Sequence, residues 1–418
     1  MSLPKATPSA VVLVFEDDAI HQLRPVTTAR PGYAITCASF RLIDWLNKLN
    51  LKIYGHVRPH LQVVQSLDFG LSEPDQPLPE GTPVLLVNAR LVPTPSVLPA
   101  LQQLLTENRP QAIRDASGSL CAALVVTPDA TRSGKALIDL ASHESVAPSA
   151  IALAVFNWPH EIVSRHMKTM NDAMQYRIAH GNYQQLQDGV FVRASTKIGQ
   201  YAVIDTSKGP ILLEEDVQVG PFCYLSGPVF AGHKTRVIEH AALKDGVSLG
   251  HTTKIGGEVE ASVIEPYTNK QHHGFLGHSY LGSWINLGAG TCNSDLKNTY
   301  GNINMEYMNE KIASEMQFMG CVMGDYSKTA INTGIFTGKI VGVCSMLYGF
   351  VTTNVPSFVT YARLFGQTSM LPADVMISTQ ARMFARRKVE QRECDRQLIL
   401  DMFELTEEER AGQTQLGL

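Results

Sequence analysis

The sequence predicts an α/β domain, then a parallel β-solenoid, then a helical tail. Short apolar runs alternate with helical patterns in the first third of the chain, and after about residue 186 aliphatic residues recur every six positions. The length of 418 residues also favours at least two domains, because single hydrophobic cores seldom grow that large. With 44% hydrophobic and 18% charged residues, the composition is typical of a globular protein.

The first domain is predicted to be a layered α/β structure. Residues 10–15, 83–87 and 121–126 are short, apolar and rich in Val, Leu or Ala, which favours buried strands. Residues 39–49 and 96–105 have apolar side chains at helical spacing. Alternating strands and helices predict a mainly parallel sheet. A polar stretch rich in Met, Arg and His, residues 159–180, predicts a connecting helix.

The six-residue period predicts the solenoid. The repeating residues are Leu213, Val219, Leu225; Leu243, Leu249, Ile255; Phe275, Leu281, Leu287; and Met323, Thr329, Ile335, Val341, Leu347. This period fits neither an α-helix nor an alternating strand, whereas it fits a coil of short strands whose aliphatic residues point inward. Four phased runs also argue against a β-sandwich. Glycine is expected at the corners, where the backbone bends; the glycines are Gly199, Gly220, Gly250, Gly256, Gly282, Gly288, Gly324 and Gly342.

Interruptions of the six-residue period indicate where the chain leaves the coil. We expect loops at residues 206–210, 228–233 and 298–315, and a helical tail in the charged stretch 372–410. The predicted domains are residues 1–158 (α/β), 159–186 (helical linker), 187–351 (solenoid) and 352–418 (helical tail).

Composition and targeting signals narrow the functional classes. The net charge is −4 and no Lys/Arg block occurs, so we expect no nucleic-acid partner. No apolar stretch reaches the length of a membrane span, and the N-terminus does not resemble a signal peptide. Seven scattered cysteines without a CxxC pair argue against a disulfide framework or a zinc ribbon. We therefore expect a cytoplasmic protein with small-molecule ligands.

Residues 278–293, HSYLGSWINLGAGTCN, resemble the active-site stretch of a known enzyme family. It is the bifunctional bacterial family that acetylates glucosamine-1-phosphate and then uridylylates the product (GlmU-like), with a GH…YLG…NIGAGT…CN run at this place. The repeats also resemble left-handed β-helix acyltransferases, which are trimers with active sites between subunits. The resemblance is strong over residues 187–350 and weak over 10–130. It implies a left-handed β-helix, a homotrimer, acetyl-CoA as co-substrate and a role in UDP-N-acetylglucosamine synthesis.

Within this stretch His278 is the predicted general base. An amine must lose its proton before it attacks a thioester, and a histidine with a near-neutral pKa suits that transfer. The attacked carbonyl then develops negative charge that a backbone N–H can stabilise, and the resemblance gives this role to the amide of Ala289. It assigns Asn293 to the catalytic group, although the GT-to-CN spacing is shorter here than in the family. The predicted substrate contacts are Lys270 for the phosphate, with His273, Tyr280 and Asn286.

The N-terminal domain resembles sugar-phosphate nucleotidyltransferases with notable departures. Residues 23–27, LRPVT, resemble the LRPLT of those enzymes, and Arg30-Pro31 stands where they carry Lys-Pro. The preceding loop, FEDDAIHQ, has three acids and no glycine, which makes it a poor phosphate cradle. The family's metal-binding aspartate is also missing after VLLVN. Arg24, Arg30 and Asn88 are the expected nucleotide contacts, and Mg²⁺ is a possible cofactor; an active domain and one kept for packing or regulation both remain open.

Two other functions remain open. The H-x4-H spacing of His273 and His278 also occurs in β-helix carbonic anhydrases, where three histidines from two subunits bind zinc; a third ligand would be His233, His240 or His251. A non-catalytic sugar-nucleotide-binding protein is the second alternative. Arg386, Arg387 and Lys388 fit either a solvated helix face or a contact with coenzyme A phosphates. The acceptor sugar is not fixed by the sequence.

Overall fold

The chain forms two compact units in the computed structural model, which describes residues 9–127, 134–142, 147–308, 310–362, 367–411 and 414–415. The first unit comprises the described parts of Met1–His21, Arg30–Thr36 and Phe40–Asn157. The second comprises Gln22–Ala29, Cys37–Ser39 and the described parts of Trp158–Leu418. No helix among the described residues is both long and apolar enough to cross a membrane.

The first unit is built on a five-stranded sheet with the order β2-β1-β3-β5-β4. Its strands are β1 (Val11–Phe15), β2 (Lys52–His56), β3 (Pro83–Asn88), β4 (Gln111–Arg114) and β5 (Leu120–Val126). β1 pairs in parallel with β2 and β3, whereas β5 runs antiparallel to both β3 and β4. The predicted mainly parallel sheet is confirmed, with one reversed strand. β4 and β5 are joined by a short turn, and such a connection only allows antiparallel pairing.

Four short helices accompany this sheet: α1 (Leu42–Leu46), α2 (Gln62–Phe69), α3 (Val97–Glu107) and α4 (Gly134–Ser142). Helix α3 confirms the predicted helix, and it buries Val97, Ala100, Leu101 and Leu104 at the helical spacing of one apolar face. Helix α1 is shorter than predicted because the segment continues as a 3₁₀ turn, Asn47–Leu49, which ends at Asn50 with φ of 54°. A left-handed asparagine at this position is a common helix terminator.

The second unit begins with helix α5 (Pro159–His180), which has the bounds expected from the sequence. A parallel β-helix follows, and its strands stack in register on three faces. Face 1 contains Val190–Val192, Ile211–Leu213, Val229–Ala231, Val247–Leu249, Val263–Ile264, Tyr280–Leu281, Cys321–Met323 and Lys339–Val341. Face 2 contains Lys197–Ile198, Gln218–Val219, Arg236–Val237, Lys254–Ile255, Asn269–Lys270, Lys328–Thr329, Met346–Leu347 and Val359–Ala362. Face 3 contains Val203–Asp205, Tyr224–Ser226, Ala242–Lys244, Glu258–Glu260, Phe275–Gly277, Cys292–Asn293, Gly334–Ile335 and Phe350–Val351.

Most of the six-residue aliphatic positions fill the interior of the coil, as predicted. Leu225, Leu243 and Leu249 are each 0% exposed, for example. Glycines lie at the corners: a Cβ on Gly220 would come within 2.6 Å of a backbone nitrogen of the next turn. The prediction for Phe275 is wrong, because Leu276 is the inward residue and pairs with Val259. The step from Leu276 to the next inward residue, Leu281, is five residues, so the corner after this strand, at residues 277–279, is one residue shorter than the period requires.

The interruptions of the period have different structures. Residues 206–210 form a turn, and residues 298–315 leave the coil with a hairpin of Asn304–Tyr307 and Glu310–Ala313. The predicted loop at 228–233 is wrong: Val229–Ala231 is a buried strand of face 1 despite the flanking proline and glycine. Beyond residue 351, Val359–Ala362 still pairs with Met346–Leu347. The helical tail is confirmed as α6 (Ala373–Arg386) and α7 (Glu393–Leu405).

Candidate functional site

His278 lies at a corner between face 3 and face 1, where its backbone has a φ of 45°. Its Nδ1 atom is 2.9 Å from Oδ2 of Asp295, and the two side chains are only 16% and 14% exposed. The ring of Phe318 stacks against the imidazole with a centroid distance of 5.3 Å. This corner therefore carries a half-buried histidine–carboxylate pair with an aromatic wall.

Sequence reasoning missed Asp295 and Phe318. Asp295 follows the strand Cys292–Asn293 and is 17 residues from its histidine partner. One turn of the coil has about this length, since Ser279 and Ser262 on successive turns are also 17 residues apart. The coil period would have identified Asp295 as the next residue on the same corner. Phe318 comes from the far end of the excursion, which carries no periodic signal.

The pair with Asp295 has a chemical consequence for His278. A carboxylate at Nδ1 favours the tautomer in which Nδ1 donates its proton, and the lone pair then lies on Nε2. No described protein group hydrogen-bonds Nε2. The imidazole can accept a proton there while the carboxylate stabilises the resulting cation.

Asn293 is buried and lies on face 3, one turn of the coil after the strand Phe275–Gly277, which directly precedes His278. Its Oδ1 accepts a hydrogen bond from the Gly277 N–H at 2.8 Å, and its Nδ2 donates to the Gly277 carbonyl at 3.0 Å. Both ends of the amide are therefore engaged by the residue that precedes His278. In this arrangement Asn293 positions the backbone of the corner.

Tyr280 and Lys270, two predicted substrate contacts, are both buried: Lys270 points into the coil, whereas Tyr280 lies on the outer side of face 1 because its neighbour Leu281 points inward. Tyr280 is fully buried and its hydroxyl donates to Oε1 of the buried Glu265 at 2.8 Å. Lys270 is 2% exposed, and its ammonium donates to the carbonyls of Gly256 and His272 at 2.8 and 3.1 Å. Burial lowers the pKa of Lys270 to about 8. Its side chain occupies an inward position of face 2, where the neighbouring turn has an isoleucine.

Ala289 and His273 lie at a different corner, between face 2 and face 3. The Gly290 N–H donates to the His273 carbonyl at 3.1 Å, and the Asn332 N–H donates to the Ala289 carbonyl at 2.7 Å. The N–H of Ala289 itself has no hydrogen-bond partner in the described part of the chain. Because the width of face 3 separates this corner from that of His278, one chain does not bring the two predicted catalytic groups together.

The predicted nucleotide contacts divide between the two units. Asn88 ends β3 and its Nδ2 donates to Asp17 at 2.8 Å and to the Leu120 carbonyl at 2.9 Å. Arg30 also belongs to the first unit, where its carbonyl accepts a hydrogen bond from Arg58 at 3.2 Å. Arg24 belongs to the second unit and donates to the Leu405 carbonyl at 3.4 Å.

Two arginines form ion pairs with the acidic loop that follows β1. Glu16 pairs with Arg58 at 2.9 and 3.2 Å and also accepts the Gly32 N–H at 3.0 Å. Asp17 pairs with Arg90 through two contacts of 2.7 Å, and the Arg90 side chain is 1% exposed.

These ion pairs bear directly on magnesium, which the fold implies for the first unit. Mg²⁺ demands carboxylate oxygens at about 2.1 Å in an octahedral shell, whereas these oxygens face guanidinium groups that already neutralise them. Within the described ranges, no cluster of three His, Cys, Asp or Glu side chains is suited to a metal ion. Glu16 and Asp17 therefore do not fit a magnesium site.

Comparison with known proteins shows partial similarity to sugar nucleotidyltransferases and related bifunctional proteins. Residues 12–178 match the sugar nucleotidyl transferase family model. The bifunctional sugar-1-phosphate nucleotidylyltransferase/acetyltransferase of Sulfurisphaera tokodaii is 28% identical over 149 residues, which cover 35% of this chain and 37% of that protein. The bifunctional protein GlmU of Azorhizobium caulinodans is 32% identical over 116 residues, 25% of each chain. The matches thus span between a quarter and two-fifths of these relatives.

Among solved structures, the Francisella novicida UDP-N-acetylglucosamine acyltransferase aligns with 52% of this chain and 78% of its own. The sequence identity is 16% and the TM-score is 0.27. Residues 12–178 thus resemble sugar nucleotidyl transferases, parts of the chain are similar to bifunctional proteins of this kind, and the β-helix follows the region that the family model matches.

Proposed function

We propose that this chain is an acetyl-CoA-dependent N-acetyltransferase that acts on glucosamine-1-phosphate or a closely related amino sugar phosphate. The observation that carries the proposal is the His278–Asp295 pair at 2.9 Å on a corner of the coil. The acceptor class is taken from the relatives, whose names combine sugar-1-phosphate nucleotidyl transfer with acetyl transfer.

The proposed reaction uses His278 as general base and Asp295 as its charge partner. Nε2 of His278 takes a proton from the amino group of the sugar, and the nitrogen attacks the thioester carbonyl of acetyl-CoA. The new C–N bond forms, the C–S bond breaks, and the thiolate of coenzyme A leaves and is protonated. Asp295 stabilises the imidazolium during these steps. The N–H of Ala289 stabilises the oxyanion of the tetrahedral intermediate.

The separation of the two corners favours a site shared between copies of the chain, and the resemblance to left-handed β-helix acyltransferases implies that these copies form a homotrimer. A carbonyl cannot contact His278 and Ala289 of one chain at once, because face 3 lies between them. Packing of copies side by side along the coil would bring a corner of one subunit towards a corner of the next. In the proposed trimer the base of one subunit and the amide of its neighbour complete each site.

The first test is coenzyme A release from acetyl-CoA and glucosamine-1-phosphate by wild type and His278→Asn. Asparagine tolerates the left-handed backbone of this corner, so the variant should fold. Loss of a general base should lower kcat by about 10²–10⁴-fold. The matched control is His240→Asn, because His240 also lies at a corner with a φ of 60°. Equal activity of wild type and His278→Asn would overturn the proposal.

Subunit mixing tests the shared site. Trimers refolded from His278→Asn and Ala289→Pro, which removes the amide N–H, should regain part of the activity that each variant lacks alone. Recovery requires that base and amide come from different chains. If no mixture regains activity while both variants form stable trimers, the shared site is wrong.

Nucleotidyl transfer by the first unit is not included in the proposal. The name of one relative mentions it, but here two of the three acids of the loop, Glu16 and Asp17, are paired with Arg58 and Arg90. The zinc alternative is not favoured either, since the relatives are sugar nucleotidyltransferase/acetyltransferase proteins.

A further inference from the structure

Two aromatic rings lie next to the His278–Asp295 pair. Phe318 stacks on the imidazole of His278 with a centroid distance of 5.3 Å and an interplanar angle of 25°. Phe275 lies beside the carboxylate, because a Cβ on Gly277 would collide both with the Phe275 ring and with Oδ2 of Asp295. Glycine at this position therefore lets a ring and a carboxylate approach the same point. We call Phe275, Gly277 and Phe318 the aromatic cleft.

Backbone hydrogen bonds hold the chain around Phe318 against this corner. The Met319 N–H donates to the Asp295 carbonyl at 2.8 Å, and the Gly320 N–H donates to the His278 carbonyl at 2.9 Å. The residues that carry the base and its carboxylate thus also fix the end of the excursion. The place of the Phe318 ring is therefore tied to the place of the base.

Part of the Phe318 ring remains exposed beside the base. The residue is 40% exposed in the described part of the chain. Rings in van der Waals contact lie about 3.5 Å apart, so a centroid distance of 5.3 Å means that the two rings are offset. The imidazole of His278 therefore covers only a part of the Phe318 face.

Packing alone does not account for the position of Phe318. A phenylalanine stabilises a fold chiefly by burying its side chain, and this side chain is only partly buried. Pockets for small molecules, by contrast, are lined by aromatic side chains together with a few polar groups that orient the ligand. The aromatic cleft, together with His278 and Asp295, has this composition.

The base determines which part of a ligand must lie against the aromatic cleft. In the proposed function the amine nitrogen of the acceptor comes within about 3 Å of Nε2 of His278. The carbon atoms attached to that nitrogen then lie close to the ring that stacks on the same imidazole. A pyranose ring presents a face of C–H groups that can pack on the apolar face of an aromatic side chain, whereas an acyclic amine has no such face.

We propose that Phe318 is a specificity-determining residue, and that the aromatic cleft selects an acceptor whose amine is carried on a pyranose ring. The C–H face of the ring packs on Phe318 while the amine contacts His278. This proposal rests on the proposed function for the position of the amine, and it adds the ring form of the acceptor.

Calorimetric titration of the full chain tests the proposal with two probes: glucosamine-1-phosphate, which has the ring, and O-phosphoethanolamine, which has an amine and a phosphate but no ring. Phe318→Leu should weaken binding of glucosamine-1-phosphate by about three- to tenfold, because it removes the aromatic face. The affinity for O-phosphoethanolamine should stay within about twofold, since this probe does not use that face. Phe318→Tyr keeps the aromatic face and should retain the wild-type affinity for both probes.

The matched control is Phe222→Leu. Phe222 is 53% exposed and stacks on another corner histidine, His240, at 5.2 Å, so its truncation should leave both affinities unchanged. Thermal melting should show that all variants are folded. The pH profile of kcat/KM is a second readout: loss of ring packing leaves the profile in place, whereas loss of a ring that only shields the ion pair from water would shift it.

Several results would overturn the proposal: no saturable binding of glucosamine-1-phosphate, equal affinities of wild type and Phe318→Leu, equal weakening of both probes, or equal weakening by the control variant. A shifted pH profile with unchanged affinity would also overturn it, because Phe318 would then act only as a shield. Turnover that depends on His278, with an affinity that Phe318→Leu leaves unchanged, would contradict this proposal alone. Weaker binding by Phe318→Leu without any release of coenzyme A by wild type would contradict the proposed function alone.

Discussion

Two regions of this molecule hold carboxylates in close ion pairs, and the partners differ. At the coil corner Asp295 contacts a histidine at 2.9 Å. After β1, Asp17 and Glu16 contact arginines at 2.7 and 2.9 Å. Arginine stays protonated throughout the accessible pH range, so its pairs hold a fixed charge. A histidine side chain can take up and release a proton, so the pair that Asp295 forms can take part in proton transfer.

The comparison shows that the residue paired with a carboxylate determines whether that carboxylate fixes a loop or supports proton transfer. The two units each place acids at the ends of strands, where ligands commonly bind. In the first unit buried arginines occupy those acids and fix the loop, whereas in the second unit the acid leaves a basic nitrogen available. The following predictions test this distinction, beginning with the largest effect.

Asp295→Asn should lower kcat of acetyl transfer by about 10²–10³-fold, because the imidazolium loses its charge partner and the tautomer is no longer fixed. KM for acetyl-CoA should change little, since Asp295 does not face the ligand in the proposed mechanism. Steady-state kinetics measure both. Asp295→Glu should recover part of kcat. An unchanged kcat in the asparagine variant would show that Asp295 does not support proton transfer by His278.

Arg90→Met should lower the free energy of unfolding of the first unit by about 3–5 kcal/mol, because Asp17 would be left partly buried without a partner. Denaturant titration measures the change. The matched control is Arg109→Met: Arg109 pairs with Glu107 but its side chain is 71% exposed, so little change is expected. Acetyl transfer below the transition should persist. A stable Arg90→Met protein that binds Mg²⁺ would show that the arginine only masks a metal site.

Lys270→Met should remove a pH dependence of stability. Burial lowers the pKa of Lys270 from its usual 10.5 to about 8 in the folded state, so the free-energy cost of burying the charge is fully present below pH 8. It disappears as pH rises towards 10.5, which stabilises wild type by up to about 3 kcal/mol. Lys328 has the same shift, so the decisive quantity is the difference between wild type and variant. A difference that stays constant from pH 7 to pH 10 would contradict the assignment.

Lys208→Met should leave the unfolding midpoint unchanged within error, although Lys208 lies only 2.6 Å from Asp245. Its side chain is 62% exposed, so water and salt screen the pair. Thermal melting at low and high salt provides the measurement. A clear loss of stability would mean that distance, rather than the burial of the pair, sets the energy in this protein.

The six-residue period allowed the inward positions of the coil to be predicted from the sequence. Leu243, Leu249 and Ile255 could be assigned to the interior because a six-residue period leaves one choice for the inward position. The same rule failed at Phe275, because the corner that follows this strand is one residue short and Leu276 is the inward residue. It also failed at Val229–Ala231, because the flanking Pro228 and Gly232 look like turn residues while the backbone between them is extended.

The sites were harder to predict from the sequence because their contacts join residues that are far apart along the chain. Arg90 and Asp17 are 73 residues apart, and no local pattern connects them. Lys270 and Tyr280 were expected to contact substrate, but only the structure shows that both side chains are buried, Lys270 inside the coil and Tyr280 on the outer side of face 1. His278 was found through its motif, whereas Asp295 required knowledge of the coil turn.

The excursion after Asn293 has an evolutionary consequence. The chain leaves face 3 there and rejoins the coil at Cys321 on face 1, at the corner that one turn earlier holds His278. Strand pairing on either side is continuous, with Tyr280–Leu281 bound directly to Val322–Met323. Changes at the exposed residues 298–302 therefore need not disturb the scaffold, whereas Met305 and Tyr307 of the same excursion are buried and the Tyr307 hydroxyl accepts a hydrogen bond from the His160 N–H at 3.1 Å. Selection can diversify the acceptor side of the site in a modular way while the histidine, its carboxylate and the coil remain unchanged.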